Sequence, residues 1–427
     1  MTFHVVQPGD TLWKVSQTYN VPVDSIVDVN GLRGTALIPG LALYLPQPSF
    51  NVHFHQIAAG DTLWSLAKRF QSSVEHILTA NHPLDPYNLQ IGKMINIPTP
   101  LKMKMTTLGF YVPYSPDEFH QQFPDFADEL TYLAVVSYSF QEDGSVYVDL
   151  PDDGIPKTSL EHNVVPLLMI RNIKEGGKFS PELVGEVLED PVKRRKLIDD
   201  LIDLIAEKQY GGVSIDFEFI PPKRREDFIT FLKELKRALG GLVLHVNVHA
   251  KTEDVLTNPI IGGYDYAAIG EVADFVAVMT MDFGYPGGPP NPVTPIDWLE
   301  KVIRYSAGLI DRRKLQVALP LYGYDWIAGT TESSGLSLLA AQNLAISNNT
   351  SIKFNKEFMT PYFNYRKEDK DHIVWFDDIQ SYAKKLQLID YYRLNGVTFW
   401  ETRLPFPQNW AFIRQQMNVT KYQTKVE

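Results

Sequence analysis

The chain has 427 residues, of which 44% are hydrophobic, and its formal net charge is −11. This length predicts two to four domains, and the acidic balance argues against nucleic acid as a partner. The absence of cysteine excludes disulfides and thiolate metal sites, and the ten histidines show no close metal-ligand spacing. No apolar run is long enough to span a membrane. The opening residues, Met-Thr-Phe-His, predict no classical signal peptide.

The first 100 residues contain an internal repeat. Residues 9–13 read Gly-Asp-Thr-Leu-Trp, and the same five residues return at 60–64. A repeat of this length predicts two copies of one small module. Asp10 and Asp61 are predicted to cap the first helix of each copy. Apolar runs, turn residues and helical spacing predict strand, helix, helix and strand, at residues 3–7, 12–19, 23–29 and 41–46, and again at 54–58, 63–70, 74–80 and 93–98.

This repeat resembles the LysM module in the Gly-Asp-Thr-Leu-Trp segment, in the asparagine after the second helix and in the closing Leu-Pro or Ile-Pro. LysM modules bind glycans that contain N-acetylglucosamine, chiefly peptidoglycan and chitin. The resemblance implies a groove between the Gly-Asp-Thr-Leu loop and the loop after the second helix. Its candidate glycan contacts are Asp10, Thr11, Leu12 and Asn30 in the first copy and Asp61, Thr62, Leu63 and Asn81 in the second. Leu12 and Leu63 fit a packing role equally well, and we expect Trp13 and Trp64 to pack in the core.

Proline-containing segments separate the predicted domains. Residues 47–49, Gln-Pro-Ser, join the two copies, and residues 98–100, Pro-Thr-Pro, lead to the rest of the chain. Both are predicted to be semi-rigid spacers. We therefore expect domains at residues 1–47, 52–99 and 104–427. His53 and His55, which flank a strand, are expected at the surface.

The remaining chain alternates strands with amphipathic helices. Two helices are predicted at about 191–208 and 224–239, where leucines and isoleucines recur at helical spacing. Eight strand–helix pairs in this length predict an α/β fold of the (β/α)8 TIM-barrel type. An irregular stretch at about 328–374 is predicted to be an insertion after strand seven. The predicted strands are near-continuous apolar runs at residues 107–112, 132–140, 164–170, 212–217, 243–248, 275–281, 315–320 and 396–400.

The fourth predicted strand ends in two carboxylates, Asp216 and Glu218. Residues two apart on a strand point to the same side, and barrel active sites lie at the carboxyl ends of the strands. Burial and mutual repulsion favour the protonated form of at least one of the two groups. A protonated carboxyl near neutral pH is what glycosidic cleavage requires. The alternative is a structural pair bound to basic groups, which the rarity of buried acids disfavours.

From about residue 106 onward the chain resembles glycoside hydrolase family 18. The fourth strand of that family carries Asp-x-x-Asp-x-Asp-x-Glu. This chain keeps Asp216 and Glu218, whereas Gly211 and Ser214 stand at the first two aspartates. Ser214 still offers a hydroxyl and is a candidate substrate contact.

Two further segments support the resemblance. Met281 and Asp282 stand where strand six of the family has Tyr-Asp, and Trp400 ends strand eight, as does the tryptophan below the family's sugar site. Met281 cannot supply the usual phenol. Tyr138 and Tyr285 are candidates to replace that phenol. Asp282, Trp400, Tyr138 and Met281 are therefore candidate substrate contacts.

The resemblance implies a retaining mechanism with no enzymic nucleophile, no metal and no cofactor. The 2-acetamido oxygen of the substrate attacks the anomeric carbon and forms an oxazolinium ion. Glu218 would protonate the leaving sugar and then activate water. Asp216 would orient the acetamido N–H, and Trp400 would support the distorted sugar.

Segments 321–326 and 406–410 resemble a branch of the family, the LysM-bearing spore cortex-lytic enzymes, and Tyr324 in the first segment is a further candidate contact. The resemblance implies a monomeric N-acetylglucosaminidase that acts on peptidoglycan at the spore coat, cortex or cell wall. Two alternatives stay open. One is a non-hydrolytic glycan-binding protein on the same fold. The other is a chitinase, which is expected to carry a leader and Ser-x-Gly-Gly on strand three, where this chain has Met-Ile-Arg-Asn.

Overall fold

The structure is a computed structural model that describes residues 3–46, 50–174 and 176–421. The predicted linker at 47–49 lies outside the described residues. Two small modules precede a large α/β domain, and we call residues 3–46 the first module and residues 50–99 the second module. Each packs two helices on a two-stranded antiparallel sheet, with elements at Phe3–Val5, Leu12–Tyr19, Val23–Val29 and Ala42–Tyr44, and at Asn51–Gln56, Leu63–Arg69, Val74–Ala80 and Met94–Thr99.

The first helix of each module begins where predicted, but its capping residue lies one position later than predicted. Thr11 and Thr62 are the capping residues, and each hydroxyl accepts a hydrogen bond from the amide three residues ahead, at 3.2 and 3.0 Å. Asp10 and Asp61 instead accept from the amide three residues behind, each at 2.8 Å. The prediction that the aspartates cap these helices is therefore wrong, because their carboxylates close the preceding turn.

The modules lie directly on the large domain. Residues 98–100 are not a free spacer, since the last strand of the second module extends through Thr99, whose side chain is buried. His53 and His55 are also more enclosed than expected, with side chains 13% and 15% exposed. The prediction that residues 98–100 are a semi-rigid spacer is therefore wrong, because Pro98 and Thr99 belong to the last strand of the second module.

Eight parallel strands form a closed barrel. Each strand pairs with the next, and the first strand pairs with both the second and the eighth. All eight predicted strands are present, and the first begins four residues earlier than predicted. In barrel order they are Met103–Tyr111, Tyr132–Phe140, Val165–Arg171, Gly212–Asp216, Val243–His249, Phe275–Met279, Leu315–Pro320 and Gly396–Trp400.

Helices surround the barrel. The long helix at Pro191–Lys208 begins and ends as predicted, because Asp190 caps it before the N1 proline and Gln209 ends it in the left-handed region. Four further short strands flank the barrel, at Val146–Val148, Ile173–Lys174, Lys178–Phe179 and Met417–Val419. The other helices of the large domain are Pro116–Gln122, Ile155–Glu161, Pro181–Glu189, Arg225–Leu239, Tyr266–Val272, Ile296–Ala307, Ile379–Tyr391 and Pro407–Gln416.

The insertion after the seventh strand is regular rather than irregular. It forms a five-stranded antiparallel sheet and one helix, Leu338–Ser347, and it begins at Tyr322, directly behind the seventh strand. The short strands contain glycine and serine, and the connecting helix has little amphipathic contrast. Hydrophobic periodicity therefore did not predict these elements. The sheet strands are Tyr322–Ile327, Ser333–Ser337, Lys353–Asn355, Thr360–Lys367 and Lys370–Trp375.

Two buried layers lie on either side of the barrel wall. The outer layer fills the space between strands and helices, and the inner layer fills one half of the barrel with apolar side chains from the first three strands. The inward positions of the fourth, fifth and seventh strands carry polar side chains instead, which are Ser214, Asp216, His245, Asn247 and Gln316. Within the described ranges, none of the helices combines the length and apolar composition that crossing a bilayer requires.

Candidate active site

The fourth barrel strand brings two carboxylates to the mouth of the barrel. Asp216 is the last residue of the strand and is 4% exposed, and Glu218 lies two residues beyond it. Asn172 pins the peptide of Glu218, accepting from its amide at 2.8 Å and donating to its carbonyl at 2.9 Å. Tyr264 donates to the carbonyl of Phe217 at 2.8 Å. These bonds fix the backbone from which Glu218 projects.

Asp216 lies in an environment that favours its protonated form. Burial is the main cause that raises the pKa of Asp216 well above its ordinary value, and the charge of Glu218 adds to it. The guanidinium of Arg171 and a hydrogen bond from Asn247 act in the opposite direction. The pair therefore combines one deeply buried acid with one that reaches the mouth.

A histidine that the sequence analysis missed lies beside Glu218. Nε2 of His249 is 3.3 Å from Oε2 of Glu218. The imidazole packs between the rings of Phe219 and Tyr264, with centroids 5.2 and 5.7 Å away. His249 ends the fifth strand, so the rule that barrel sites use the carboxyl ends of strands could have identified it.

Asp282 is held by two tyrosines of the insertion. The hydroxyls of Tyr322 and Tyr324 both donate to Oδ1 of Asp282, at 2.7 and 2.9 Å. Asp282 takes a left-handed backbone conformation, with φ of 58°. The insertion therefore contributes directly to this side of the mouth. Tyr324 was a candidate in the sequence analysis, and Tyr322 was not.

Tyr138 does not face the mouth, so its assignment as a substrate contact is wrong. Alternate residues of the second strand, including Val136, point into the barrel. A β-bulge between Val136 and Tyr138 shifts the register and turns Tyr138 to the outer layer. There it is fully buried and donates to the carboxylate of Asp152, which also accepts from Tyr210 at 2.7 Å.

Trp400 and Met281 lie at the rim. Trp400 ends the eighth strand, packs on the inner apolar layer and has its ring 5.3 Å from that of Phe110. Met281 is partly buried against the aromatic core of the insertion, which includes Trp326. Among the candidates to replace the missing phenol, Tyr285 is half exposed in the following loop.

Ser214 is sealed below Asp216. Its side chain is fully buried, and its Oγ lies 2.9 Å from Nδ1 of His245. A substrate at the mouth cannot reach this hydroxyl without displacing Asp216, so the assignment of Ser214 as a direct substrate contact is wrong. Across the described parts of the chain, His, Asp and Glu side chains form no group of three that could hold a metal ion.

The sequence model of Glycosyl hydrolases family 18 matches residues 106–404, and that of the LysM domain matches residues 4–46 and 55–98. The first match covers more than half of the chain and contains both carboxylates. The chain belongs to glycosyl hydrolases family 18. The family 18 domain is therefore the barrel, and the two modules are LysM domains.

Known relatives match this chain over nearly its full length. YdhD of Bacillus subtilis (strain 168) is 33% identical over 427 residues, which cover 99% of this chain and 100% of the relative. The spore cortex-lytic enzyme SleL of Bacillus cereus superposes with a TM-score of 0.85 at 27% identity, covering 98% of each chain. SleL of Bacillus megaterium QM B1551 gives a TM-score of 0.82 at 29% identity and covers 98% of this chain and 99% of its own.

Two pairs of the predicted LysM contacts are internal. Nδ2 of Asn30 donates to two backbone carbonyls and its Oδ1 accepts from the amide of Tyr44. Asn81 makes the same three bonds in the second domain. Leu12 and Leu63 are buried in the cores. Assigning Asn30, Leu12 and Leu63 to glycan contact is therefore wrong, since these side chains are buried and hold the second loop and the first helix in place.

The indoles of the LysM domains are exposed. Trp13 and Trp64 are 66% and 68% exposed, so the prediction that they pack in the core is wrong. They follow buried leucines at the helix start, and the helical repeat turns successive residues to different sides. Thr11 and Thr62 lie at the surface beside them, whereas Asp10 and Asp61 bond to His4 and His55 at 2.8 and 2.7 Å.

Proposed function

We propose that this family 18 protein hydrolyses spore cortex peptidoglycan as an N-acetylglucosaminidase with retention of configuration. The observation that carries the proposal is the pair of carboxylates at the barrel mouth, with Asp216 buried and Glu218 beside it on a pinned loop. The names of the two SleL relatives, spore cortex-lytic enzymes, support the choice of substrate.

The proposed reaction uses the acetamide of the substrate as nucleophile. Its carbonyl oxygen bonds to the anomeric carbon while Glu218 gives its proton to the leaving oxygen, and the glycosidic bond breaks. The two carboxyl groups share one proton, and when Glu218 carries it the Asp216 carboxylate accepts a hydrogen bond from the acetamido N–H and stabilises the positive charge of the oxazolinium ion. Glu218 then removes a proton from a water molecule, whose oxygen attacks the anomeric carbon. The oxazolinium ring opens, and the product keeps the anomeric configuration of the substrate.

Neighbouring groups complete the proposed sugar site. Trp400 offers an apolar face beside the inner layer. Asp282, which accepts from the hydroxyls of Tyr322 and Tyr324, forms a polar wall beyond the sixth strand, two strands away from Trp400. The chemistry needs no cofactor, because the nucleophile comes with the substrate.

The LysM domains are proposed to hold the protein on peptidoglycan. In the second domain the loop after the second helix is open to solvent, and Tyr87 in it is 97% exposed. Trp64 gives the same domain an exposed aromatic face, which suits stacking on a sugar ring. The proposed location is the spore cortex, coat or cell wall, with no role in nucleic acid or membrane binding and with a monomer as the working unit.

Glu218→Gln tests the catalytic assignment. The amide keeps the shape of the side chain but donates no proton to a leaving oxygen, so release of muropeptides should fall roughly 10²–10⁴-fold. Mass spectrometry of the products from purified cortex peptidoglycan measures this release. Glu207→Gln, on the exposed face of the long helix, is the matched control. Full turnover by the Glu218 variant would refute the assignment.

Two further measurements separate the alternatives. NMR of the first product should show the retained anomer, and an inverted anomer would rule out acetamide assistance. The position of the new reducing end identifies cleavage after N-acetylglucosamine or after muramic acid. A chitinase would cleave chitin oligosaccharides in preference to cortex fragments. A non-hydrolytic protein would bind both without any release of products.

A further inference from the structure

A chain of hydrogen bonds between buried side chains runs through the polar half of the barrel below Asp216. It starts at the end of the barrel opposite the mouth and runs toward the mouth along the seventh, fifth and fourth strands. Each step is a hydrogen bond of 2.5–3.3 Å between side chains. Its members are Asn395, Thr106, Gln316, His245, Ser214 and Asn247.

The lower end sets the direction of the chain. Nδ2 of Asn395 donates to the carbonyl of Arg313 at 2.8 Å, and a carbonyl can only accept. Oδ1 of Asn395 is therefore the acceptor for Thr106 and for Nε2 of Gln316, the latter at 3.0 Å. The remaining Oε1 of Gln316 must then accept from the next member. From Gln316 downward, every donor in the chain therefore points away from the mouth of the barrel.

His245 passes this direction upward. Burial lowers the pKa of His245 to about 4, so the ring is neutral near neutral pH and carries one proton. That proton lies on Nε2, which is 3.2 Å from the acceptor Oε1 of Gln316. Nδ1 is then an acceptor, and the hydroxyl of Ser214 must donate to it at 2.9 Å.

The direction reaches Asp216 through Asn247. Since the proton of Ser214 is used on His245, its oxygen accepts from Nδ2 of Asn247 at 3.3 Å. Turning the amide of Asn247 around would place two acceptors together. Nδ2 has a second proton, and the pairing of Ile215 with Val246 places Asn247 beside Asp216 on the neighbouring strand. A hydrogen bond from Asn247 favours the charged form of the Asp216 carboxyl.

We propose that Asn247 is a positioning residue, oriented by Ser214 and His245, whose amide holds the Asp216 carboxylate in the direction that receives the acetamido N–H of the substrate. This inference rests on the proposed function. Ser214 stands where the family pattern has an aspartate that could share a proton with Asp216. In this chain the neutral amide of Asn247, which can only donate to Asp216, takes the place of that proton-sharing partner.

Other charged and titratable groups also face Asp216. Glu218 lies two residues beyond the fourth strand, Arg171 ends the third strand and Tyr264 follows the fifth strand. His249 contacts Glu218 at 3.3 Å. None of these groups changes in the variants below, so a shift in the pH profile reports the loss of the amide donor.

Asn247→Leu tests the proposal, since it keeps the volume of the side chain and removes the donor. We expect kcat on an N-acetylated cortex fragment to fall roughly 10- to 100-fold with a smaller change in KM, because positioning acts mainly in the transition state. The low-pH limb of the kcat profile should move to higher pH, since only Arg171 then opposes the effect of burial and Glu218 on the pKa of Asp216. Ser214→Ala, which frees Asn247 to rotate, should give a smaller change of the same kind.

Thr398→Val is the matched control. Thr398 is an equally buried hydroxyl inside the barrel, and its Oγ1 has no partner among the described residues. The pH profile of Thr398→Val should match that of the unchanged protein. An unshifted profile with unchanged kcat in both Asn247→Leu and Ser214→Ala would overturn the proposal. If Asn247→Leu fails to fold, Ser214→Ala and Asn247→Asp decide it, because a second carboxylate should move the same limb further upward.

The result is separable from that of the proposed function. Activity retained by Glu218→Gln would refute the hydrolytic assignment itself. Loss of activity in Glu218→Gln, together with an unshifted profile in the Asn247 and Ser214 variants, would refute only the positioning role. Binding of cortex fragments by all folded variants should stay within a few-fold, since Asn247 and Ser214 do not line the surface.

Discussion

The two LysM domains share a fold, a capping threonine and an internal asparagine, but they are attached to the barrel in different ways. The apolar core of the first domain is continuous with the outer layer of the barrel. The second domain has a core of its own, built from seven buried residues such as Leu66 and Ile77. Two copies of one sequence pattern have therefore become different parts of the molecule.

The first domain docks with the loop that follows its second helix. Gln342 donates to the carbonyl of Asn30 at 2.8 Å, and Gln408 donates to Oδ1 of Asn30 at 2.6 Å. The amide of Ile352, in the insertion, donates to the carbonyl of Pro39 at 3.0 Å. One wall of the groove implied by the LysM resemblance is therefore occupied by the barrel and its insertion.

The second domain docks with its first strand and leaves the corresponding loop free. Nδ1 of His53 lies 2.7 Å from the carboxylate of Asp390 on the helix Ile379–Tyr391. Lys384 on the same helix lies over the ring of Phe54, 5.1 Å from its centroid. This contact is polar and strand-based, so the loop with Tyr87 stays exposed. We therefore propose that docking, rather than the repeat itself, decides which copy is free to bind glycan.

Gly40→Ala and Gly92→Ala form the sharpest matched pair and should show the largest effect. Both glycines have φ of +86°, so alanine is strained at each. A Cβ on Gly40 would lie 1.8 Å from the carbonyl oxygen of Ile352, whereas nothing lies within 4 Å at Gly92. We expect a loss of about 2–4 kcal/mol in the free energy of unfolding for Gly40→Ala and about 1 kcal/mol for Gly92→Ala. Equal losses in thermal or denaturant unfolding would contradict the docked position of the first domain.

Gln408→Ala should be the next most damaging change. The side chain is buried and serves both Asn30 and the carbonyl of Ala42, the latter at 3.0 Å. Its loss leaves a buried acceptor unpaired, which costs about 1–3 kcal/mol. Gln56→Ala removes an exposed contact of the second domain with Tyr391 at 3.3 Å and should cost less than about 0.5 kcal/mol. Denaturant titration of both variants measures the two losses in the free energy of unfolding. Similar losses would contradict the prediction.

Trp64→Ala and Trp13→Ala compare the two domains as anchors. The indoles are equally exposed, but only the second domain has an open second loop. We expect Trp64→Ala to weaken binding to insoluble peptidoglycan by about 1–2 kcal/mol, roughly 5- to 30-fold, and Trp13→Ala to change it by much less. Sedimentation with peptidoglycan, using protein inactivated by Glu218→Gln, measures this without hydrolysis. Equal losses would mean that docking does not restrict the first domain.

The contact of the second domain should weaken slightly as the pH rises. Burial of the ring lowers the pKa of His53, but the hydrogen bond and charge of Asp390 outweigh it, so the net pKa is raised. A raised pKa in the folded state adds stability that is complete below the ordinary histidine value of about 6.5 and is lost as the pH passes the raised value.

Asp390→Asn removes the charge of Asp390 and so measures the pH-dependent stability that the His53–Asp390 contact adds. The stability difference between the unchanged protein and Asp390→Asn should be less than about 1 kcal/mol and should shrink from pH 6 to pH 8.5. Melting temperatures of both proteins across this range give the difference directly. A difference that grows with pH would show that the His53–Asp390 contact does not act as an ion pair.

The sequence by itself determined the repeat, the eight barrel strands and the two carboxylates. Strands buried on both faces must be apolar along their whole length, so Tyr132–Phe140 and its neighbours are visible as runs. The capped ends of Pro191–Lys208 are equally local, since Asp190, Pro191 and Gln209 act within one turn. Asp216 and Glu218 stood out because charge at the end of such a run is costly without a function.

Only the tertiary structure decided what depends on contacts between distant parts of the chain. The bulge before Tyr138 reverses the side to which alternation assigns it. His249 reaches Glu218, and Tyr322 reaches Asp282, only because the closed barrel brings separate strand ends together. The attachment of the first domain likewise needs Gln408, 378 positions from Asn30. Periodicity reports the face of an element that is buried, and it carries no information about the partner that buries it.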